Sequence, residues 1–203
     1  MSRGDSTEIK IKEAARKIML KKGFDGARMQ EIADEAGVNK AMLNYYYRSK
    51  KALFIVVFLE EFAKLFQNIV KVLIQDKPLE DKIKEFVETE LTHLLEVPQL
   101  PGFVMNELQR NPTLIQENIK EFPVSNLINS FKLKYEADIE KGIIRDVPFF
   151  QFLISLQSLC IFPIIAKPIF MQLTHSSEED FEKLIIERKQ LVTDILTSYM
   201  ILK

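Results

Sequence analysis

The chain has 203 residues, of which 47% are hydrophobic and 28% charged, and its formal net charge is −1. This composition is typical of a globular protein and excludes a disordered or collagen-like chain. Cys160 is the only cysteine, and His93 and His175 are the only histidines. A disulfide framework, a cysteine-rich zinc site and a histidine-based metal site are therefore excluded, and we expect no metal and no cofactor. No signal peptide is predicted at the start of the chain, so a cytoplasmic location is expected.

The charge is distributed unevenly along the chain. Residues 1–53 contain 12 lysine and arginine residues against 7 acidic ones, whereas residues 54–203 contain 16 against 22. A basic segment suits a polyanion, so the two parts of the chain are predicted to meet different partners. An excess this small can also arise by chance, and the spacing of the residues has to decide.

Four helices are predicted in the first part of the chain. Gly23 ends the first helix and Gly37 ends a short second one. Asn39 is a suitable N-cap for a third helix from Lys40 to about Tyr46, and Ser49 caps a fourth. The apolar positions of the first two helices follow helical spacing at Ile11, Ala14, Ala15, Ile18, Met19, Met29, Ile32, Ala33 and Ala36.

Two short helices joined by a glycine-containing turn are typical of the helix-turn-helix motif. An ordinary three-helix subdomain would use the same apolar positions, and this alternative stays open. The third helix favours DNA binding, because its buried face needs little more than Leu43 and Tyr47. No acidic residue occurs from Gly37 through Leu59, and an acidic side chain on such a surface would repel phosphates.

Residue type and spacing agree with one known family at Ala14-Ala15, Gly23-Phe24, Ile32-Ala33, Ala36-Gly37-Val38, Lys40, Leu43, Tyr46-Tyr47, Ser49-Lys50 and Leu53. On these residues the segment Ile11–Leu53 resembles the DNA-binding domain of the TetR/AcrR transcriptional regulators. The resemblance implies an all-α fold with two domains. Residues 1–50 would form an N-terminal three-helix helix-turn-helix DNA-binding domain, and residues 51–203 a C-terminal helical domain for effector binding and dimerisation.

The third helix is expected to lie in the major groove of operator DNA. Lys40 can reach a phosphate or a guanine edge, Met42 a thymine methyl group and Asn44 an adenine. The resemblance implies that Tyr46 and Lys50 hold phosphates. The full set of candidate DNA-binding residues is Arg28, Gln30, Asn39, Lys40, Met42, Asn44, Tyr45, Tyr46 and Lys50.

The chain departs from the family pattern at positions that affect operator choice. Ala27 and Arg28 stand where the family usually has serine or threonine before the second helix. The hydroxyl cap is therefore lost, and Arg28 has to supply the affinity for the DNA backbone in its place. Met42 stands where threonine is common and Asn44 where an aromatic residue is common, so the operator sequence does not follow from the resemblance.

Helical spacing continues through residues 54–203, and Pro98, Pro101 and Gly102 are expected to interrupt it. Predicted helices cover Lys50 to about Gln75, Pro78 to Leu94, Phe103–Gln109, Pro112–Glu121, Val124–Glu140 and Phe149–Ala166. Gly142 is expected to end the helix Val124–Glu140. A last helix is predicted after a capping box at residues 176–179. The run Phe149–Ala166 is nearly long and apolar enough for a membrane span. Gln151, Gln157 and Pro163 interrupt it, so we predict a buried helix and no membrane association.

The resemblance also implies a dimer interface and a ligand cavity in the C-terminal domain. The two C-terminal helices would pack against their copies as a four-helix interface. Glu90 and His93 are spaced i, i+3 and can orient a polar group of a ligand; the alternative, a solvated pair beside aromatic core residues, stays open. The candidate ligand-binding residues are Phe62, Phe66, Phe86, Glu90, His93, Phe103, Met105, Phe131, Tyr135 and Gln157.

These features together predict a homodimeric, sequence-specific transcriptional regulator. The expected function is repression from a palindromic operator, relieved by a small, largely apolar ligand. The alternative is a DNA-binding protein of the same type without a small effector, controlled by a protein partner or constitutive. An enzyme is disfavoured, because no serine or cysteine nucleophile can be assigned to Glu90 and His93. The expected partners are double-stranded operator DNA, a second copy of the chain and a small hydrophobic effector.

Overall fold

The computed structural model describes residues 3–119 and 124–202, which fold into eleven α-helices. In chain order the helices are α1 (Arg3–Gly26), α2 (Met29–Ala36), α3 (Lys40–Tyr46), α4 (Lys50–Leu73), α5 (Leu79–Glu96), α6 (Leu100–Arg110), α7 (Pro112–Ile119), α8 (Val124–Glu140), α9 (Phe149–Ile165), α10 (Lys167–Thr174) and α11 (Glu178–Met200). Within these ranges the extended pairing is limited to an isolated antiparallel bridge between Ile144 and Ile201. The predicted all-α fold is confirmed.

The helices form two compact units. The N-terminal unit comprises Met1–Leu65 and Gly102–Glu121, and the C-terminal unit comprises Phe66–Pro101 and Phe122–Lys203, in each case within the described residues. The N-terminal unit is larger than the predicted DNA-binding domain, because it includes most of α4 and α6 and the whole of α7. The assignment of DNA binding to residues 1–50 and of effector binding and dimerisation to residues 51–203 stays a prediction.

The N-terminal unit is built on the apolar positions predicted for its first helices. α1 packs on α2, and α2 packs on α3. The predicted core residues Ile11, Ala15, Met19, Ile32 and Leu43 are fully buried. Burial of one apolar face on each short helix stabilises helices that would be marginal alone.

Two glycines shape the chain between the first helices. Gly37 has φ +67° and ends α2, as predicted, because a left-handed residue releases the chain from the helix with no Cβ penalty. Gly23 has φ +70° and ψ 179°, and it kinks α1 so that one further turn follows. A Cβ at Gly23 would lie 3.2 Å from Oε1 of Glu107, so backbone conformation and space both favour glycine there.

Several predicted boundaries differ from the structure. α6 begins at Leu100 and not at Phe103. The prediction that Pro101 and Gly102 interrupt the helices was wrong, because proline fits the first turn of a helix, where its missing N–H is not needed. Pro78 precedes α5 as its N-cap. The predicted helix end at Glu121 lies outside the described residues.

The apolar segment after Phe149 is two helices. Pro163 lies in the last turn of α9, which ends at Ile165, and α10 follows at a bend of 60°. Among the described helices, none alone has the length and hydropathy to cross a bilayer, and only this bent pair reaches both when taken together. α10 was not predicted from the sequence.

The last helix begins with a capping box, shifted by one residue from the prediction. Ser177 is the N-cap, and its hydroxyl accepts a hydrogen bond from the N–H of Asp180 (N to Oγ 3.1 Å). The carboxylate of Asp180 in turn accepts one from the N–H of Ser177 (N to Oδ2 2.9 Å). The box uses Asp180 at the third helical position, whereas the predicted box had Glu179.

The C-terminal unit is organised around α5. This helix packs against α9 and α11, and α8 packs against α9. The core residues of the unit come from all four helices, and each is at most 2% exposed: Ile83, Phe86, Val87, Leu91, Tyr135, Phe152, Leu156, Ile185 and Val192. Cys160, on α9, is fully buried in the same core.

Candidate DNA-binding surface

Side-chain caps lie on both sides of α3, one at its own start and one at the start of α4. Oδ1 of Asn39 accepts a hydrogen bond from the N–H of Met42 (N to Oδ1 2.7 Å), so Asn39 is the N-cap, as predicted. The hydroxyl of Ser49 accepts one from the N–H of Ala52 (N to Oγ 3.1 Å) at the start of α4. The caps satisfy helix N–H groups and hold the two helix starts in place.

α3 attaches to its unit through very few side chains. Leu43 is fully buried and Tyr47, which follows the helix, is 7% exposed. The opposite face carries the predicted contact residues: Tyr45 is 83% exposed and Met42 43% exposed, and Lys40 and Asn44 are exposed as well. An exposed side of lysine, methionine, asparagine and tyrosine can bond phosphates and base edges and contact a thymine methyl group.

The three consecutive tyrosines have different surroundings. The rings of Tyr45 and Tyr46 meet edge to face, with centroids 5.5 Å apart. Tyr47 points inward, and its hydroxyl donates a hydrogen bond to Oε1 of Glu8 (3.0 Å). Burial, reinforced by the Glu8 carboxylate, raises the pKa of Tyr47. Tyr47 is therefore a structural residue, whereas Tyr45 lies on the candidate surface.

The start of α2 forms a second part of the surface. Arg28 is the N-cap and is exposed, and its side chain makes no capping hydrogen bond, so the loss of the hydroxyl cap is confirmed. A helix N-terminus favours an anion such as phosphate. Gln30 is exposed, but its amide donates a hydrogen bond to Oδ1 of Asp34 (2.8 Å), which competes with a contact to DNA.

Lys50 makes contacts within the protein that the sequence did not reveal. Its Nζ donates a hydrogen bond to the carbonyl oxygen of Asp25 (3.2 Å) and lies 4.6 Å from the centroid of the Phe24 ring. Lys50 thus joins the start of α4 to the end of α1. Its phosphate contact stays a prediction, and the contacts with Asp25 and Phe24 give Lys50 a structural role.

Two exposed cations were missed in the sequence analysis. Arg48 and Lys51 follow α3 and are exposed, and both lie in the acid-free segment from Gly37 through Leu59. The signal was present in that segment, since cations without neighbouring acids suit a phosphate backbone.

The predicted ligand-binding residues fall in both units. Phe62, Phe103 and Met105 belong to the N-terminal unit, where Phe58 joins the first two by ring contacts of 5.9 and 6.1 Å between centroids. The predicted residues in the C-terminal unit are Phe86, Glu90, His93, Phe131, Tyr135 and Gln157. The side chain of Phe66 lies outside the described part of the chain.

Glu90 is fully buried, so the alternative of a solvated pair is wrong for this residue. Nε2 of Gln157, on α9, donates a hydrogen bond to Oε1 of Glu90 (3.2 Å). Within the described residues, the buried Nε2 of His93 and Oε1 of Gln157 have no hydrogen-bond partner. Buried polar atoms without partners are costly, and a polar group of a bound ligand is one way to satisfy them.

The fold and the exposed face of α3 define a helix-turn-helix DNA-binding protein of the transcriptional-regulator class. Residues 11–57 match the family model described as "Bacterial regulatory proteins, tetR family". The chain is 27% identical over 175 residues to the protein named Probable HTH-type transcriptional regulator YttP from Bacillus subtilis, a match that covers 82% of this chain and 84% of that protein. The family match identifies residues 11–57 as a DNA-binding domain of the tetR type, and the relative that matches most of the chain is named as a transcriptional regulator.

Two further proteins are similar to this chain. The HTH-type transcriptional repressor NicS from Pseudomonas putida is 27% identical over 161 residues, covering 78% of this chain and 76% of NicS. A crystal structure of a TetR family transcription regulator from Marinobacter aquaeolei superposes with a TM-score of 0.65 at 20% identity, covering 99% of this chain and 98% of that one. At this level of identity the structural match bears on the fold alone.

Proposed function

We propose that the chain is a homodimeric repressor that binds a palindromic operator in the cytoplasm and is released by a small, largely apolar ligand. The observation that carries the proposal is the exposed face of α3, with Lys40, Met42, Asn44 and Tyr45 outward and Leu43 as its buried anchor. The name of the relative NicS supports repression. No catalytic role is assigned, since the relatives are named as transcriptional regulators.

Exposed apolar faces on α9 and α11 support dimerisation. On α9, Phe150 and Ile154 are 60% and 58% exposed, and on α11 Leu191 and Tyr199 are 53% and 56% exposed. Phe150 and Ile154 are four residues apart, and Leu191 and Tyr199 are eight apart, which keeps each pair on one side of its helix. Apolar faces of this kind mark protein interfaces. A second copy with the same two faces would cover them.

The dimer would supply the specificity that one short helix lacks. A single α3 reaches few base pairs, and its affinity would be mostly salt-sensitive phosphate binding. Two copies related by a two-fold axis would place their recognition helices roughly 34–36 Å apart, one DNA turn, and read a pseudo-palindrome.

Release by a ligand would follow from its preference for one of two dimer geometries. In one geometry the two α3 helices would fit the operator, and in the other they would not. A ligand that binds the second geometry more tightly lowers operator affinity, to an extent set by the difference between its affinities for the two geometries. Shifting the ratio of the two dimer geometries from 99:1 to 1:99 needs a difference of about 5.5 kcal/mol between the ligand's binding free energies for them. The buried Glu90, together with the buried atoms Nε2 of His93 and Oε1 of Gln157, supports a ligand site in the C-terminal unit.

Selection of genome fragments by the purified full-length protein tests the proposal. We expect the enriched fragments to share a palindrome whose half-sites lie one helical turn apart. In gel-shift titrations against that palindrome at moderate salt, Lys40→Ala and Tyr46→Phe should weaken binding. Lys183→Ala, which removes an exposed cation on α11, should leave it unchanged. Enrichment without a palindrome, or equal binding by all variants, would contradict the proposal.

The ligand-free alternative is distinguished by an extract experiment. If a low-molecular-weight fraction of the cell extract releases the operator complex, the protein is a small-molecule sensor. If only the macromolecular fraction, or neither fraction, releases it, control by a protein partner or constitutive binding is favoured.

A further inference from the structure

A cavity of about 560 Å³ lies in the C-terminal unit between the start of α5 and α8. Its volume is within the ~300–1,000 Å³ range of small-molecule sites. The lining residues that are buried are Leu79, Lys82, Phe131, Tyr135 and Ile144. Four of these five provide apolar or aromatic surface, and the fifth, Lys82, is a cation. The cavity therefore combines an apolar floor with one buried positive charge.

Lys82 has an unusual position for a lysine. The residue is 4% exposed, and its Nζ lies 4.9 Å from the centroid of the Phe131 ring. Burial, followed by the neighbouring ammonium of Lys134, lowers the pKa of Lys82, while Asp76 and Asp138 act in the opposite direction. A buried ammonium carries a desolvation penalty, which an anion placed in the cavity would reduce.

A second cation can turn toward the same space. Nζ of Lys134 lies 2.9 Å from Oδ1 of Asp76, but the Asp76 side chain is 97% exposed and that of Lys134 is 57% exposed. An exposed ion pair of this kind is weak, since water competes for both groups. Lys134 can therefore exchange Asp76 for an anionic group of a ligand.

The charges along the lining favour an anion at the floor over a cation. The acidic lining residues Asp76 and Glu80 are exposed, and Asp138 is half-buried, whereas Lys82 is buried. A ligand cation at the floor would face the ammonium of Lys82. A ligand anion would face it with the favourable sign.

The walls of the cavity are held in place by the protein itself. The hydroxyl of Tyr135 donates a hydrogen bond to the carbonyl oxygen of Val147 (2.9 Å), and burial raises the pKa of Tyr135 to about 12, so this donor remains protonated. The bridge between Ile144 and Ile201 ties the segment after α8 to the end of α11. The cavity is thus preformed, which limits the ordering cost of binding.

We propose that this cavity binds a small monocarboxylic acid with an apolar body. The carboxylate would lie between the ammonium groups of Lys82 and Lys134, and the body would pack against Phe131 and Ile144. The inference rests on the proposed function and makes it more specific, because it describes the effector as an amphiphilic anion. Glu90, His93 and Gln157 do not line this cavity, so the inference assigns the effector to a different site of the C-terminal unit from the one that these three residues supported.

Calorimetric titration of the full-length protein with decanoate and with decanol tests the inference. The two probes share an apolar chain and differ in charge. We expect decanoate to bind once per chain and at least about tenfold more tightly than decanol, since hydrogen bonds to charged groups are the stronger ones. Equal affinities, or no binding of decanoate, would overturn the proposal.

Variants test the two lysines. Lys82→Met keeps an unbranched side chain one atom shorter and removes the charge, so decanoate should bind it no more tightly than decanol. The matched control Lys84→Met changes an exposed lysine on the same helix outside the cavity and should bind as the wild type does. If Lys82→Met does not fold, as judged by thermal melting, Lys134→Met at the exposed position supplies the test by weakening decanoate alone. If the folded lysine variant still prefers decanoate over decanol by the same ratio as the wild type, the inference is overturned.

A gel shift with decanoate separates this inference from the proposed function. If decanoate binds with the expected discrimination and releases the operator, both are supported. If decanoate binds with the expected discrimination but leaves the operator complex intact, the cavity binds carboxylic acids as inferred. Its role as the effector site is then contradicted.

Discussion

The carboxylate of Glu107, on α6, accepts a hydrogen bond from the backbone N–H of Phe24 at the end of α1, with N and Oε1 2.9 Å apart. Its other oxygen accepts one from Nδ2 of Asn111 (2.9 Å), and Glu107 is 1% exposed. Lys50 and Phe54 hold the same turn, the first through Asp25 and the second by a ring contact with Phe24. The last turn of α1, which follows the kink at Gly23, is therefore anchored by helices far from it in sequence.

We predict that Glu107→Leu destabilises the protein more than Glu107→Gln. Leucine leaves the N–H of Phe24 without its acceptor, at a cost of about 1–3 kcal/mol, whereas the glutamine amide still offers an oxygen. Urea unfolding followed by circular dichroism measures both free energies of unfolding. Equal stability of the two variants would show that the hydrogen bond to Phe24 contributes little.

Substitution by alanine should have opposite effects at Gly23 and Gly102. Gly23→Ala places a side chain on a backbone at φ +70° and 3.2 Å from Glu107, so we expect a loss of about 1–3 kcal/mol. Gly102 lies in α6, and a Cβ there would meet no atom within 4 Å. Gly102→Ala should therefore be neutral or stabilise by up to about 1 kcal/mol. Thermal melting of the two variants compares them, and a similar loss in both would contradict this prediction.

A charge on the exposed apolar face of α11 should prevent the proposed dimer. Leu191→Glu places a carboxylate in each copy of the interface, so we expect a folded monomer that no longer binds the palindrome. Ile186 is similarly exposed (56%), but it lies roughly 140° around the helix from Leu191, away from that face. Ile186→Glu should remain dimeric. Light scattering after gel filtration gives the mass, and a dimeric Leu191→Glu variant would place the interface elsewhere.

Burial of Cys160 should make stability fall at alkaline pH. Burial, with a smaller contribution from Glu90, raises the pKa of Cys160 from 9.0 to about 12. Between these values the unfolded chain has lost the thiol proton and the folded chain keeps it, so the free energy of unfolding falls as pH rises. The slope from this group reaches about 1.4 kcal/mol per pH unit.

Cys160→Ala removes that contribution. Urea unfolding of both proteins at about pH 8 and about pH 10.5 should show a smaller alkaline loss in the variant. A thiol reagent at neutral pH should modify Cys160 only after unfolding. Parallel pH profiles of the two proteins, or rapid modification of the native protein, would contradict the burial of this thiol.

Local signals in the sequence were sufficient for the DNA-binding helices. Asn39 and Ser49 cap the helices that their residue types predicted, and Gly37 ends α2. These features depend on neighbours within four residues, so chemical type and spacing determine them. The same holds for Leu43, whose burial follows from helical spacing.

Features that depend on distant residues were not predictable in this way. Lys50 appeared as a phosphate contact, and only its proximity to Phe24 and Asp25 showed a structural role. Glu90 and His93 were paired by spacing along one helix, but Gln157 on α9 supplies the hydrogen bond. Pro101 looked like a helix breaker and is a first-turn residue, because its effect depends on where the helix begins.

Residue order by itself determined the helical class, the short helices after Gly23 and the outward face of α3, since each arises from periodicity and capping over a few residues. Tertiary structure decided which charged groups are buried and what they meet: Glu107 beneath the turn at Phe24, and Lys82 against the ring of Phe131. The physical reason is that desolvation and pairing of a charge depend on residues brought close by folding, and their separation along the chain carries no signal of that proximity.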